Sequence, residues 1–305
     1  MTIVITGGSG YIGTALTREL LKKGHTVIVV DKVAPVFTHH NLFFIQCDLS
    51  TQPLPYNVLE RTDAVVNLAG APISKKWTPS YKETILKSRV QSTRSIVSAI
   101  KAAQSRPTVF ISASAIGYYG DTGEHLVDEQ GSKGEGFLSM VTDEWEKEAR
   151  AAEECGVRVV IVRTAPVLGH AGIIAGITKT AAFGFMLRLT SKNYWMSWIH
   201  EDDIVSVYLF ALETSTLQGV VNAAAPEPIQ HRDFVALLAY TLHRKVFGSM
   251  PGFVTKRLFG ELFRELTSDQ RVVSSRLSDK GFSFLYPTVR GALFDICRKK
   301  NHRPE

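Results

Sequence analysis

Cysteine is nearly missing: the 305 residues hold three, Cys47, Cys155 and Cys297. They are odd in number and far apart. That excludes a disulfide framework and any metal-ligand spacing, and it predicts a reduced, cytoplasmic protein with no metal. No apolar run approaches the ~18 residues that a membrane span needs. Met1-Thr2-Ile3-Val4-Ile5 lacks the basic n-region of a signal peptide. Repeats and low-complexity tracts are absent as well, which excludes solenoids and low-complexity linkers. A one-sided charge is missing over most of the chain. The net charge is +6, and residues 230–305 alone hold 14 Lys/Arg against 7 Asp/Glu. That surplus is dispersed except for Arg298-Lys299-Lys300, which closes an expected helix where cations suit the dipole. It therefore reads as a solvated helix end and not as a nucleic-acid surface.

What is present is a rhythm of apolar strands and helices. Ile3–Ile5, Thr26–Val30, Phe43–Ile45, Ala64–Val66, Val109–Ile111 and Val157–Val162 read as strands. A helix after the first strand shows Ile12, Leu16, Leu20 and Leu21 at helical spacing and ends at Gly24; a long one spans about 79–104. Continuous apolar strands between helices predict an α/β fold with a parallel sheet covered on both faces. After Arg163 the alternation fades. A helix over about 202–213, a strand at Val220–Asn222, and helices over about 231–243, 251–265 and 288–300 are expected there. The division is a nucleotide-binding domain over 1–165 and a smaller, mainly helical part over 166–305. The two are interleaved, with about 200–225 returning to the first.

Thr6-Gly7-Gly8-Ser9-Gly10-Tyr11-Ile12-Gly13 joins the first strand to the first helix. It satisfies both Gly8-x-Gly10-x-x-Gly13 and Gly7-x-x-Gly10-x-x-Gly13. Glycines permit the tight turn and the approach of backbone N–H groups to a diphosphate, and the helix N-terminus adds a positive end. Asp31 ends the second strand, where a carboxylate accepts from ribose hydroxyls and repels a 2′-phosphate. This favours NAD. Lys32 next door can turn onto a 2′-phosphate, which keeps NADP open. Asp48, after the third strand, suits either an adenine contact or a loop cap.

Further segments carry a family likeness: Asn67-Leu-Ala-Gly-Ala-Pro-Ile73, Lys87-Ser88-Arg89, Ser112-Ala-Ser-Ala-Ile-Gly-Tyr-Tyr-Gly120, Trp145-Glu146, Trp195-Met-Ser-Trp-Ile-His-Glu-Asp203 and Gln270-Arg271-Val272. With the glycine loop they resemble the short-chain dehydrogenase/reductase superfamily in its extended or atypical branch. The subgroup is that of "epimerase family proteins", often labelled nucleoside-diphosphate-sugar epimerases, with a C-terminal region of its own. The resemblance implies a Rossmann-type doubly wound sheet. It implies NAD(P)-dependent oxidoreductase or epimerase chemistry on a small molecule such as a nucleotide sugar. It also implies a cofactor site made of Gly7, Gly10, Tyr11, Ile12, Gly13, Asp31, Lys32, Asp48, Leu49, Leu68, Ala69, Gly70, Ser112, Ala113, Arg163 and Pro166. Arg89 joins them as a phosphate contact, or else pairs with surface carboxylates.

One family feature is missing. The superfamily pairs Tyr-x-x-x-Lys on one helix so that the ammonium lowers the phenol pKa. None of the nine tyrosines has a lysine four residues on. Ser114, Tyr118 and Tyr119 remain as candidates for the proton chemistry, with packing as the competing role for both phenols. A dinucleotide-binding sensor with weak or lost catalysis is the alternative function. His200 is a candidate substrate contact near Asp202, itself a candidate helix cap. Phe183-Gly-Phe-Met-Leu-Arg188 stands where relatives carry glycines, which makes Arg188 a candidate anionic handle. Glu144 and Glu146 are expected to serve packing or solvation.

Overall fold

The computed structural model describes residues 1–170 and 185–301. Phe183 and Gly184 lie outside them. The main sheet is built from β1 (Thr2–Thr6), β2 (Thr26–Asp31), β3 (Leu42–Gln46), β4 (Ala64–Asn67), β5 (Val109–Ala115), β6 (Arg158–Thr164) and a strand at Gly219–Ala223. Its seven strands run in the order Gly219–Ala223, β6, β5, β4, β1, β2, β3. β1 pairs in parallel with both β2 and β4, β2 with β3, and β4 with β5. The order reverses at β1, so a crevice opens at the carboxyl ends of β1 and β4, where open α/β sheets take ligands. β1 and β4 are buried apart from Thr2 at the start, as expected of central parallel strands.

Three helices position the site. α1 (Tyr11–Lys22) buries Gly13, Leu16, Thr17, Leu20 and Leu21 along one stripe and closes before Gly24, whose φ is +79°. α2 (Pro79–Ala102) starts with Thr78 accepting from the Tyr81 N–H and a proline in its first turn. α3 (Phe137–Arg150) buries Val141, Thr142, Trp145, Glu146 and Ala149.

The chain forms two compact units. The first comprises Met1–Ala115, Met140–Arg163 and Val205–Val221; the second comprises Ile116–Ser139, Thr164–Ile204 and Asn222–Glu305. Ile116–Ser139 thus belongs with the second unit although it lies within 1–165. The first unit's core includes Val4, Val65, Ile96, Ile100, Phe110, Val159 and Ile161. The second gathers Leu168, Met186, Trp198, Phe234, Leu238, Leu293 and Ile296. The helix expected over 251–265 is two, Gly252–Phe259 and Leu262–Leu266. Gly260 between them has φ +57°, a left-handed turn that ends the first. No helix among the described residues is long and apolar enough to cross a membrane.

Candidate functional site

The glycine loop has little room for side chains. A Cβ at Gly7, which sits at φ +73°, would come within 2.7 Å of the Leu68 carbonyl carbon. At Gly13 it would lie 2.4 Å from the Gly7 oxygen, so α1 is seated on its own entry turn. Gly10 is different: its Cβ would meet only the Gly7 oxygen, at 3.1 Å. Gly10 caps α1 without a side-chain bond, and no acid stands in the first turn, which leaves the positive helix end to an anion. Tyr11 is exposed and Ile12 half-buried beside it.

A cleft of about 760 Å³ runs from this loop along the ends of β2, β3 and β4. Gly7, Gly10, Asp31, Lys32, Asp48, Leu49, Leu68, Ala69 and Gly70 all line it. Asp31 accepts from the Ser9 N–H at 3.0 Å and from the Lys32 N–H at 2.7 Å, which ties the carboxylate to the loop. The Lys32 ammonium lies 2.8 Å from Asp48. Asp48 also accepts from the N–H and hydroxyl of Ser50, so it caps its own loop while it lines the cleft. Burial opposes its charge, but Lys32 and Ser50 outweigh that and hold its carboxyl below the usual range.

α2 clamps the far wall. Ser88 accepts from the Ala71 N–H at 2.9 Å, and Arg89 Nη1 donates to the Ala71 oxygen at 3.0 Å. Among the described residues Arg89 pairs with no carboxylate; its guanidinium packs against Gly70. Ser112 is buried and donates to the Ala113 oxygen, while Ala113 is half-buried.

Ser114 donates to Glu146 Oε1 at 2.7 Å, and Arg163 closes on the same carboxylate with Nε at 2.7 Å and Nη2 at 2.8 Å. All three are buried, with Glu146 and Arg163 each 3% exposed. Glu146 is therefore no solvated helix residue: it ties α3 to the ends of β5 and β6. A signal existed, since Glu146 falls inside the stripe Val141, Thr142, Trp145, Ala149. Glu144 is exposed, as expected.

In the second unit, Tyr119 is buried and donates to Asn222 Oδ1 at 2.8 Å, while Asn222 Nδ2 donates to the Val273 oxygen at 2.9 Å. Tyr118 is half-buried and meets Tyr119 edge-on, ring centroids 5.5 Å apart. The Pro166 oxygen accepts from the Ile199 N–H. His200, expected at the substrate, is fully buried. Its Nδ1 accepts from the Asp202 N–H, its Nε2 lies 3.3 Å from Asp295, and the Tyr286 ring lies tilted against it with centroids 3.8 Å apart. His200, Asp202 and Asp295 thus bring three possible ligand atoms within 4.8 Å of one another inside this unit. Arg188 is half-buried and donates to the Gly248 oxygen.

The NAD dependent epimerase/dehydratase family matches residues 3–224, and a domain of unknown function, DUF1731, matches 250–296. The chain is 34% identical over 307 residues to an epimerase family protein, the chloroplastic SDR39U1 homolog of Arabidopsis thaliana, covering 98% of this chain and 87% of that one. Human epimerase family protein SDR39U1, solved with NADPH, superposes with TM-score 0.85 at 28% identity over 98% of this chain and 99% of that chain. The nucleoside-diphosphate sugar epimerase from Corynebacterium glutamicum superposes with TM-score 0.78 at 28% identity, over 97% of this chain and 58% of that chain.

Proposed function

The chain belongs to the NAD dependent epimerase/dehydratase family, and from that premise we propose that it binds NAD in the cleft and acts on a sugar nucleotide or a small hydroxyl or carbonyl compound. The observation that carries the reading is the glycine cradle. Gly7 and Gly13 exclude any Cβ, and the open α1 end faces no acid of its own first turn. The residues present fit a dinucleotide: the loop for its diphosphate, Asp31 for the adenosine ribose, Asp48 and Leu49 for the adenine. Once bound, the cofactor supplies a hydride acceptor or donor. NAD is preferred because two carboxylates, Asp31 and Asp48, stand at the ribose end against one lysine that is already paired. The human relative was solved with NADPH.

Tyr118 is the proposed proton carrier, and Ser114 the proposed contact that orients the substrate. Because the Ser114 proton is held by Glu146, its oxygen is free to accept from a substrate hydroxyl. Calorimetric titration with NAD and NADP tests the cofactor reading. Asp31→Ala should narrow the gap between them, and a parent that binds NADP tenfold tighter would overturn the NAD assignment. Nicotinamide absorbance against a panel of sugar nucleotides and small carbonyls tests the chemistry. The commitment of Tyr119 to Asn222, with no Tyr/Lys pair on α3, supports a second reading: a dinucleotide-binding sensor with little turnover. Tight NAD binding with no turnover on any panel member would favour it.

A further inference from the structure

Among the described residues that line the cleft, every charged side chain but one meets a group that offsets its charge. Lys32 pairs with Asp48 at 2.8 Å, Lys87 pairs with Glu83, and Asp31 accepts from two N–H groups of its own loop region. Lys75 lines the same cleft, and among the described residues no carboxylate pairs with it. Its ammonium lies over the Tyr81 ring, 5.7 Å from the centroid. An aromatic face attracts a cation without neutralising it, so Lys75 keeps its full charge for an anion that enters the cleft.

The loop that carries Lys75 is held on both sides of it. Lys75 is exposed in the stretch between β4 and α2. The Trp77 indole donates to the Ile73 oxygen at 2.9 Å, which closes the turn 73–77 with Lys75 at its apex. The Tyr81 hydroxyl donates to the Pro72 oxygen at 2.6 Å. Tyr81 thus fixes the loop with its hydroxyl and receives the ammonium on its ring. A ligand that meets Lys75 has mainly the rotamers of the lysine stem to order, because the backbone is already set. Lys76, next in the turn, is also exposed but is not one of the residues that line the cleft.

The order of strands decides which part of a dinucleotide comes to this loop. It runs β4, β1, β2, β3 across the site. Asp31 ends β2 and Asp48 follows β3, so the adenosine end lies over that side. The Lys75 loop follows β4, whose end touches the glycine turn: a Cβ on Gly7 would fall 2.7 Å from the Leu68 carbonyl carbon. A diphosphate at the glycine turn therefore has the α1 N-terminus on one side and the β4–α2 loop on the other. An ammonium on a long stem suits a phosphate as a point charge. We propose that Lys75 is a second phosphate contact, which clamps the diphosphate of the dinucleotide against the glycine loop from the opposite lip of the cleft. The proposal rests on the dinucleotide reading above and adds to it a residue that the glycine turn does not require.

Calorimetric titration of the full chain with NAD, NADP, ADP and adenosine, at low and high salt, tests it. Lys75→Gln should melt with the parent, because the side chain is exposed. It should bind NAD, NADP and ADP about fivefold more weakly and adenosine as the parent does. Lys75→Arg keeps the charge and should recover most of the affinity, and Lys76→Gln should match the parent. Added salt should weaken NAD binding more in the parent than in Lys75→Gln, which lacks one screened contact. Parent-like affinity of Lys75→Gln for NAD and ADP, or an equal loss in Lys76→Gln, overturns the clamp. A loss confined to NADP also overturns it, since Lys75 would then serve a 2′-phosphate, and so does an equal loss for adenosine. If the parent binds ADP but neither dinucleotide, the function reading fails and the ADP titration alone decides the clamp. A parent that binds none of the four overturns both.

Discussion

Arg163→Met should be among the most damaging single substitutions in the first unit. Glu146 and Arg163 are each 3% exposed and joined by two bonds of 2.7 and 2.8 Å, with the Ser114 hydroxyl on the same carboxylate at 2.7 Å. Removing the guanidinium strands a buried carboxylate, which costs about 3–5 kcal/mol. Arg150, 3.8 Å from Glu146 and 44% exposed, offers little compensation. At ~2–4 °C per kcal/mol, the melting temperature should fall by roughly 6–20 °C. Urea unfolding of the parent, Arg163→Met, Glu146→Leu and the double variant would read the coupling directly. The double variant buries no lone charge, so it should be less destabilised than either single, apart from about 1–3 kcal/mol for the Ser114 hydroxyl left without its acceptor. An Arg163→Met loss below about 1 kcal/mol, or strictly additive singles, would refute the view that this pair is a desolvated unit.

The two loop glycines should separate folding from binding. Gly13→Ala puts a Cβ 2.4 Å from a backbone oxygen and should lower the melting temperature, whereas Gly10→Val should melt near the parent and lose NAD in calorimetry. Tyr119→Phe leaves the buried Asn222 Oδ1 without its donor and should cost about 1–3 kcal/mol in urea unfolding. Acid should destabilise the second unit through His231, whose imidazole is pushed from 6.5 down to about 4 by burial and then by the charge of Arg188. The unfolded chain binds more protons between those values, so stability is complete above pH 6.5 and falls by roughly 3 kcal/mol as pH drops to 4. His231→Phe should flatten that slope, and an unchanged slope would exclude His231 as its source.

The turn on which the proposed cofactor site rests was legible because it is local. Gly7, Gly10 and Gly13 answer steric demands set within one strand–turn–helix, and Asp31 lies at the end of a strand whose β-branched run marks it. The same locality made the missing Tyr-x-x-x-Lys visible, since that pair needs only one helical turn. The break at Gly260 was harder, because glycine tolerates both a helix interior and a left-handed turn, and the packing of its neighbours decides between them. The parts that turn on burial and charge pairing needed the tertiary structure. Nothing in the order of residues says that Glu146 meets Arg163, 17 positions away in another element, or that the Tyr119 hydroxyl goes to Asn222 across 103. His200 and Arg89 make the same point. One is a candidate ligand contact whose ring is enclosed by Asp295 and Tyr286, and the other a candidate phosphate contact whose guanidinium bonds the Ala71 and Ile85 carbonyls and lies over the Trp145 ring. Backbone geometry is dictated by neighbours in sequence, whereas the state of a charge depends on the solvent that distant segments exclude from it.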